Sequence, residues 1–244
     1  MLHHDLNAAV RGARAAGATE ILVKDGHGGC KNLLVDMLEP DVQLISGANT
    51  GLDGMMEGLD ASFDAAMLIG YHALSGALHG MMDHALVGGL HRFWINGIEA
   101  GEIAASAAVA GAHGVPLVCV TSDEVGCSEA KSIIPGVSIF STKRGFGRYS
   151  GEMLQPSETG PGIEAAARHG VENRDLIAPY RLAEPVTLRF AFRTTTEADL
   201  ASQNPDTRRL NGYTLEFTRP DFITAHRDAY TIFALSIMGR KSEG

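Results

Sequence analysis

Histidines and acids gather where apolar runs of the chain stop. Lys24-Asp25-Gly26-His27-Gly28-Gly29 follows EILV, Gly70-Tyr71-His72 follows AMLI, and Gly101-Glu102 opens an alanine-rich run. In an open α/β sheet, ligands collect beyond the carboxyl ends of the strands, so His and acid at such ends are candidates for chemistry. His27, His72 and Glu102 together would supply two imidazoles and a carboxylate, a donor set suited to Zn2+ or a similar first-row metal. Asp25 is a candidate extra ligand, or an acceptor that orients an imidazole. Each residue also has a plain reading. A His after a strand is ordinarily a loop hydrogen-bonder, Glu102 a first-turn acid favoured by the helix dipole, and Asp25-Gly26 a turn dipeptide. No HExxH or CxxC spacing decides between the two readings.

Other chemistry finds less support. Gly145-Phe146-Gly147-Arg148 lacks the flanking strand and helix and the Lys-Ser/Thr of a phosphate loop. The serine-hydrolase elbow GxSxG is absent. Cys30 follows His27 closely, but a thiol nucleophile needs a base that the sequence does not identify. His3 and His4 sit near the terminus, and His91, His113, His169 and His226 stand in contexts without acidic or His partners.

The elements that must position these residues alternate between helix and strand. Leu6 to Ala16 has apolar residues at helical spacing, with Gly17 placed to end it. Strands are predicted at 20–24, 42–45, 65–69, 116–120 and 137–140. Ala85 to Asn96 reads as an extended segment turning at Asn96-Gly97, a hairpin dipeptide. Glu102 to Ala112 is almost wholly small and apolar and reads as a buried helix; Glu124 to Ile133 is helical. This alternation predicts an α/β fold, a mostly parallel sheet with flanking helices. After Lys143 the stretch KRGFGRYSGEMLQPSETGPG reads as a loop or boundary, dividing the chain into 1–143 and a smaller α+β part, 144–244. In that part Val186 to Phe192 and Tyr213 to Phe217 alternate as half-buried strands, and TTTE from Thr194 has capping-box spacing. Thr218-Arg219-Pro220-Asp221 opens a terminal helix, with Pro220 suited to its first turn.

The bulk composition is that of an ordinary soluble chain. Its 244 residues are 45% hydrophobic and 20% charged, and the net charge of −9 argues against nucleic acid as a partner. Three cysteines without an even framework argue for a reducing compartment, and no run reaches membrane-span length. A cytoplasmic location is expected.

The runs ILVKDGHGGCKNLL, DVQLISG, MMEGLD, LIGYHALSG, MMDHALVGGLHRFWINGIEAGE and GVPLVCVTSDE occur in that order. As a set they resemble the D-aminopeptidase family of zinc metallopeptidases, peptidase family M55. The resemblance runs from about Leu6 to Ser150 and is looser beyond. It implies His27 in DGH, His72 in GYH and Glu102 in GE as metal ligands, and His84 in MMDH as the catalytic histidine. His79 receives no role. It further implies two zinc ions per subunit, release of an N-terminal D-amino acid from short peptides, and self-association into a ring-like homo-oligomer. Ala73, Ser75, Gly76 and Ala77 would leave room for such a peptide.

The chain departs from the family in one respect. Members begin with a strand bearing a D-x-E-G motif, whose two acids complete the metal site and whose strand is central to the sheet. Asp5, in HHDLN, does not match it. The expectation is a truncated sequence rather than a decayed site, because the remaining ligands all survive. The rival readings are a non-catalytic oligomeric module of the same fold and a metal-dependent amidase with another substrate.

Overall fold

A computed structural model describes residues 1–48 and 53–242. The chain opens with helix α1 (Leu2–Ala15), which buries Ala8, Ala9, Val10, Gly12 and Ala13 against a later helix, α4 (Pro156–Glu172). Gly17, at φ +95, ends α1 as expected. Its N–H donates to Arg14 O and the Ala18 N–H to Ala13 O, which satisfies the last carbonyls of the helix.

Strands β1 (Ile21–Lys24) and β2 (Val42–Ile45) pair in parallel and form a two-stranded sheet. A second sheet has the order β3-β6-β7-β8, from Ala66–Leu68, Leu117–Asp123, Ser138–Gly147 and Ser150–Met153. Its first three strands run parallel. Among the described strands β1 pairs only with β2, and β3 only with β6, so each keeps one edge without a ladder partner. Helix α2 (Glu102–Ala112) is buried from Glu102 to Gly111, as its run of small apolar residues requires, and packs on α3 (Glu124–Ile133).

A third sheet closes the molecule, with the order β10-β11-β9-β4-β5. It joins the hairpin β4 (Leu90–Ile95) and β5 (Ile98–Glu99) to β9 (Val186–Phe192), β10 (Arg208–Arg209) and β11 (Thr214–Arg219). Asn96 and Gly97 both take positive φ at the hairpin turn, as that dipeptide predicts. Phe190 stacks on Phe93 at 5.3 Å and meets Phe233 edge-on at 4.9 Å, which fixes the terminal helix α6 (Phe222–Ser242) on the sheet. The capping box at Thr194 and Glu197 opens the short helix α5 (Thr195–Ala201). No described helix is long and apolar enough to cross a membrane.

The structure corrects two local expectations. The stretch after Lys143 is not a loop. It continues β7, turns at Arg148-Tyr149 into β8, and then forms α4. Pro156 lies at the start of α4, where its missing N–H costs nothing. Gly162 lets α4 approach the Phe140 ring, which a Cβ would strike. Glycine and proline therefore serve a hairpin and a tight helix contact here, and the boundary expected at 143 falls inside β7. At α6, Asp221 rather than Pro220 makes the helix start: its carboxylate accepts the Thr224 N–H at 2.8 Å, and Pro220 precedes it.

Candidate metal centre

Strand β6 builds the site. Its apolar half, Leu117 to Val120, is buried, and so are the polar residues that end it, Thr121, Ser122 and Asp123. Each of these three ties down the loop that follows β3. Thr121 Oγ1 accepts the Gly70 N–H at 2.8 Å, and Ser122 Oγ donates to Tyr71 O at 2.8 Å. Asp123 accepts the Gly126 N–H at 2.7 Å, capping α3, and the Met81 N–H at 2.6 Å. A second set of bonds holds the far end of the loop. Arg148, in the β7–β8 turn, donates to Asp83 O and, at 2.9 Å, to Asp83 Oδ1. Asp83 Oδ2 accepts the Gly76 N–H at 2.7 Å. Residues 70–84 are thus bonded at both ends, and His72 and His84 stand at those ends.

The two imidazoles stack with centroids 3.8 Å apart, over the first residue of α2. His72 Nε2 lies 3.2 Å from Glu102 Oε2, and His84 Nε2 lies 3.6 Å from Glu102 Oε1. The Leu86 N–H donates to Glu102 Oε1 at 2.8 Å, which holds the carboxylate under the rings. His72 Nδ1 lies 3.0 Å from Ala73 O and His84 Nδ1 2.5 Å from Met82 O. A carbonyl only accepts, so each of these contacts is a hydrogen bond when the ring carries hydrogen on Nδ1, and it turns Nε2 toward Glu102. His84 is the more exposed ring, at 30% against 14% for His72.

This arrangement fits a metal ion. One ligand atom from each of His72, His84 and Glu102 lies within 4.8 Å of the others. Two donors bound to tetrahedral zinc at about 2.1 Å sit roughly 3.4 Å apart; His72 Nε2 and Glu102 Oε2 are 3.2 Å apart.

Without a metal, a proton holds the His72–Glu102 pair together. Burial presses His72 toward its neutral form, but the hydrogen bond and charge of Glu102 outweigh it and raise the imidazole above its usual value. Burial likewise pushes Glu102 up, and His72 more than reverses it, leaving the carboxyl below its usual range. The raised His72 stabilises the fold fully below the unfolded imidazole value of 6.5, and that contribution is lost as pH rises through the higher folded value. The lowered Glu102 contributes above its unfolded value of 4.5 and loses its contribution as pH falls through the lower folded value. In thermal unfolding of metal-free protein, the Tm gap between the native chain and Glu102→Gln should therefore be widest between these two values. A gap that instead grew above pH 8 would contradict the pairing.

Not every sequence candidate joins the group. The structure places His27 on an exposed loop, outside any set of three ligand atoms among the described residues. Asp25, 2% exposed, accepts the N–H groups of His27, Asn32 and Leu33, and one from the Asn32 side chain. Burial pushes its carboxyl up, yet these bonds more than compensate and hold it below the usual range. Asp25 shapes its own loop. Ala73 and Ser75 pack inward, so they do not open room beside His72. His79 lies exposed, with Nδ1 3.3 Å from Phe146 O.

Sequence reasoning missed Asp123, Asp83, Arg148 and Glu129. Asp123 carried the strand-end signal in PLVCVTSDE; the others carried none. Glu129, on α3, accepts the Leu74 N–H at 2.8 Å through Oε2, while its buried Oε1 has no hydrogen-bond partner among the described residues. Burial pushes its carboxyl up to about 7.

The chain can now be set beside known proteins. Residues 1–230 match the Peptidase_M55 model, D-aminopeptidase. The chain is 31% identical over 228 residues to a D-aminopeptidase of Bacillus subtilis (strain 168), covering 93% of this chain and 82% of that one. Its fold is similar, at a TM-score of 0.92 and 30% identity, to the Zn-dependent D-aminopeptidase DppA from Bacillus subtilis, described as a self-compartmentalizing protease. That likeness covers 96% of this chain and 85% of the other. With a family model spanning nearly its whole length, the chain belongs to the M55 peptidase family of D-aminopeptidases and is a hydrolase of the aminopeptidase class.

Proposed function

We propose that this chain is a zinc-dependent aminopeptidase that releases an N-terminal D-amino acid from short peptides. The observation that carries the reading is the stacked His72–His84 pair over the buried Glu102 carboxylate. His72 and Glu102 would hold zinc, with His27 as a further ligand. Zinc bound there would supply Lewis acidity toward the scissile carbonyl and toward a water. His84 faces the reacting bond. With Nδ1–H given to Met82 O, its basic lone pair is on Nε2, where it can take up a proton or attack. Glu102 beneath it stabilises the imidazolium that follows proton uptake.

The family resemblance adds a second zinc ion. Copies of the chain associate into a ring-like homo-oligomer, in keeping with the self-compartmentalizing relative. Exposed Leu78 in the site loop, Phe146 near the end of β7 and Tyr149 in the β7–β8 turn offer apolar surface for that contact. All three cysteines are buried, which suits the cytoplasm.

Hydrolysis of matched short peptides differing only in the configuration of their first residue tests the reading. With zinc supplied, the D-configured series should exceed the L-series in kcat/KM by about 10²-fold or more. Equal cleavage of both, or cleavage of non-peptide amides alone, would overturn it.

A further inference from the structure

The bonds around Ala73 and Leu74 form a relay. Glu129 Oε2 accepts the Leu74 N–H at 2.8 Å, and Ala73 O accepts from His72 Nδ1–H at 3.0 Å. That N–H and that carbonyl belong to one peptide group, which is planar and rigid. The carboxyl therefore grips one end of a plate whose other end grips the imidazole. Turning the plate breaks both bonds at once. While it is held, Ala73 O offers His72 Nδ1–H an acceptor and the ring presents Nε2 to Glu102.

The other oxygen of Glu129 reaches the second ligand-bearing segment. Gly101 immediately precedes Glu102 and caps α2. A Cβ at 101 would lie 2.8 Å from Glu129 Oε1 and 2.8 Å from Leu74 Cβ. The bare glycine lets the carboxyl lie between the turn after His72 and the start of α2. Glu129 therefore touches both segments that carry ligands, while neither His72 nor Glu102 is among its hydrogen-bond partners. Histidine ligands ordinarily give their second nitrogen to a carboxylate or a carbonyl. Here the carbonyl is met directly, and a carboxyl stands behind it, one peptide group away.

We propose that Glu129 is a positioning residue, which sets the tautomer and orientation of His72 by holding the Ala73–Leu74 peptide plane. The consequence for zinc rests on the reading of His72 as a ligand; the consequence for the imidazole does not.

Histidine-labelled protein, followed by nitrogen NMR in the zinc-free and zinc-loaded states, tests it. The native chain should show His72 protonated on Nδ1. In Glu129→Leu, which has no acceptor, that form should give way to a mixture, and zinc affinity measured by chelator competition should fall about 10- to 100-fold. Glu129→Gln keeps an acceptor for Leu74, so it should restore the Nδ1–H form and most of the affinity. Because they are two ends of one plate, the Leu74 amide and His72 Nδ1–H signals should shift together in Glu129→Gln, a comparison that holds even if Glu129→Leu does not fold. A native His72 protonated on Nε2, a Leu74 signal that moves while His72 stays fixed, or unchanged tautomer and affinity in Glu129→Leu would each overturn the assignment. If the native chain binds no zinc, the zinc-site reading fails, and the tautomer measurements still decide the role of Glu129.

Discussion

Glu102→Gln should abolish zinc-dependent turnover while leaving the chain folded. Glu102 is the one acid in the His72–His84–Glu102 group, and it starts a helix that is buried along nearly its whole length. Glutamine is nearly the same shape, and its carbonyl oxygen can still accept the Leu86 N–H that Glu102 Oε1 accepts at 2.8 Å. The charge is what disappears, and with it the anionic ligand and the electrostatic hold on both imidazoles. The loss in kcat/KM should be about 10³-fold or more, roughly 4 kcal/mol of transition-state stabilisation, the scale of effect expected when a Lewis-acid ion is lost. Steady-state kinetics and metal content, measured on the same preparation, check this. Zinc and activity should vanish together; a variant retaining both would remove Glu102 from the centre.

The second large effect separates His84 from His72. His84→Ala should lower kcat by about 10²- to 10⁴-fold, the range for loss of a general acid–base group, and leave zinc bound. The two rings look alike in sequence and touch in the structure, but their surroundings differ. His72 is the deeper ring and lies closer to the carboxylate, whereas His84 is 30% exposed and sits further from it. His72→Ala should therefore lose metal, and His84→Ala should lose rate with metal in place. Loss of zinc from His84→Ala in step with its activity would make His84 a ligand.

Much of this site was legible because it obeys a strand-end rule. His72 follows β3, and Glu102 opens a helix whose run of small apolar residues announced its burial. The Asn96-Gly97 turn and the Thr194 capping box were equally plain, since each is a local device with its own chemistry. What escaped was non-local. Arg148 grips Asp83 from a hairpin that looked like a glycine-rich loop. Glu129 is a mid-helix acid with no neighbour in sequence to mark it, and its meaning comes from Leu74, 55 positions away. Asp25 misled for the opposite reason. An acid beside a histidine looks like a ligand, but its lone pairs are taken up by the N–H groups of its own loop. Between the stacked His72 and His84 the chain turns through positive φ at His79 and Met82, which no spacing rule foretells.

Crystals of the zinc-loaded chain, measured on either side of the zinc absorption edge, would locate the ion directly. An anomalous peak about 2.0–2.2 Å from both His72 Nε2 and a Glu102 carboxylate oxygen is the expected result. Zinc bound only at sites that involve neither residue, or no peak between the stacked rings and the start of α2, would contradict the metal centre proposed here.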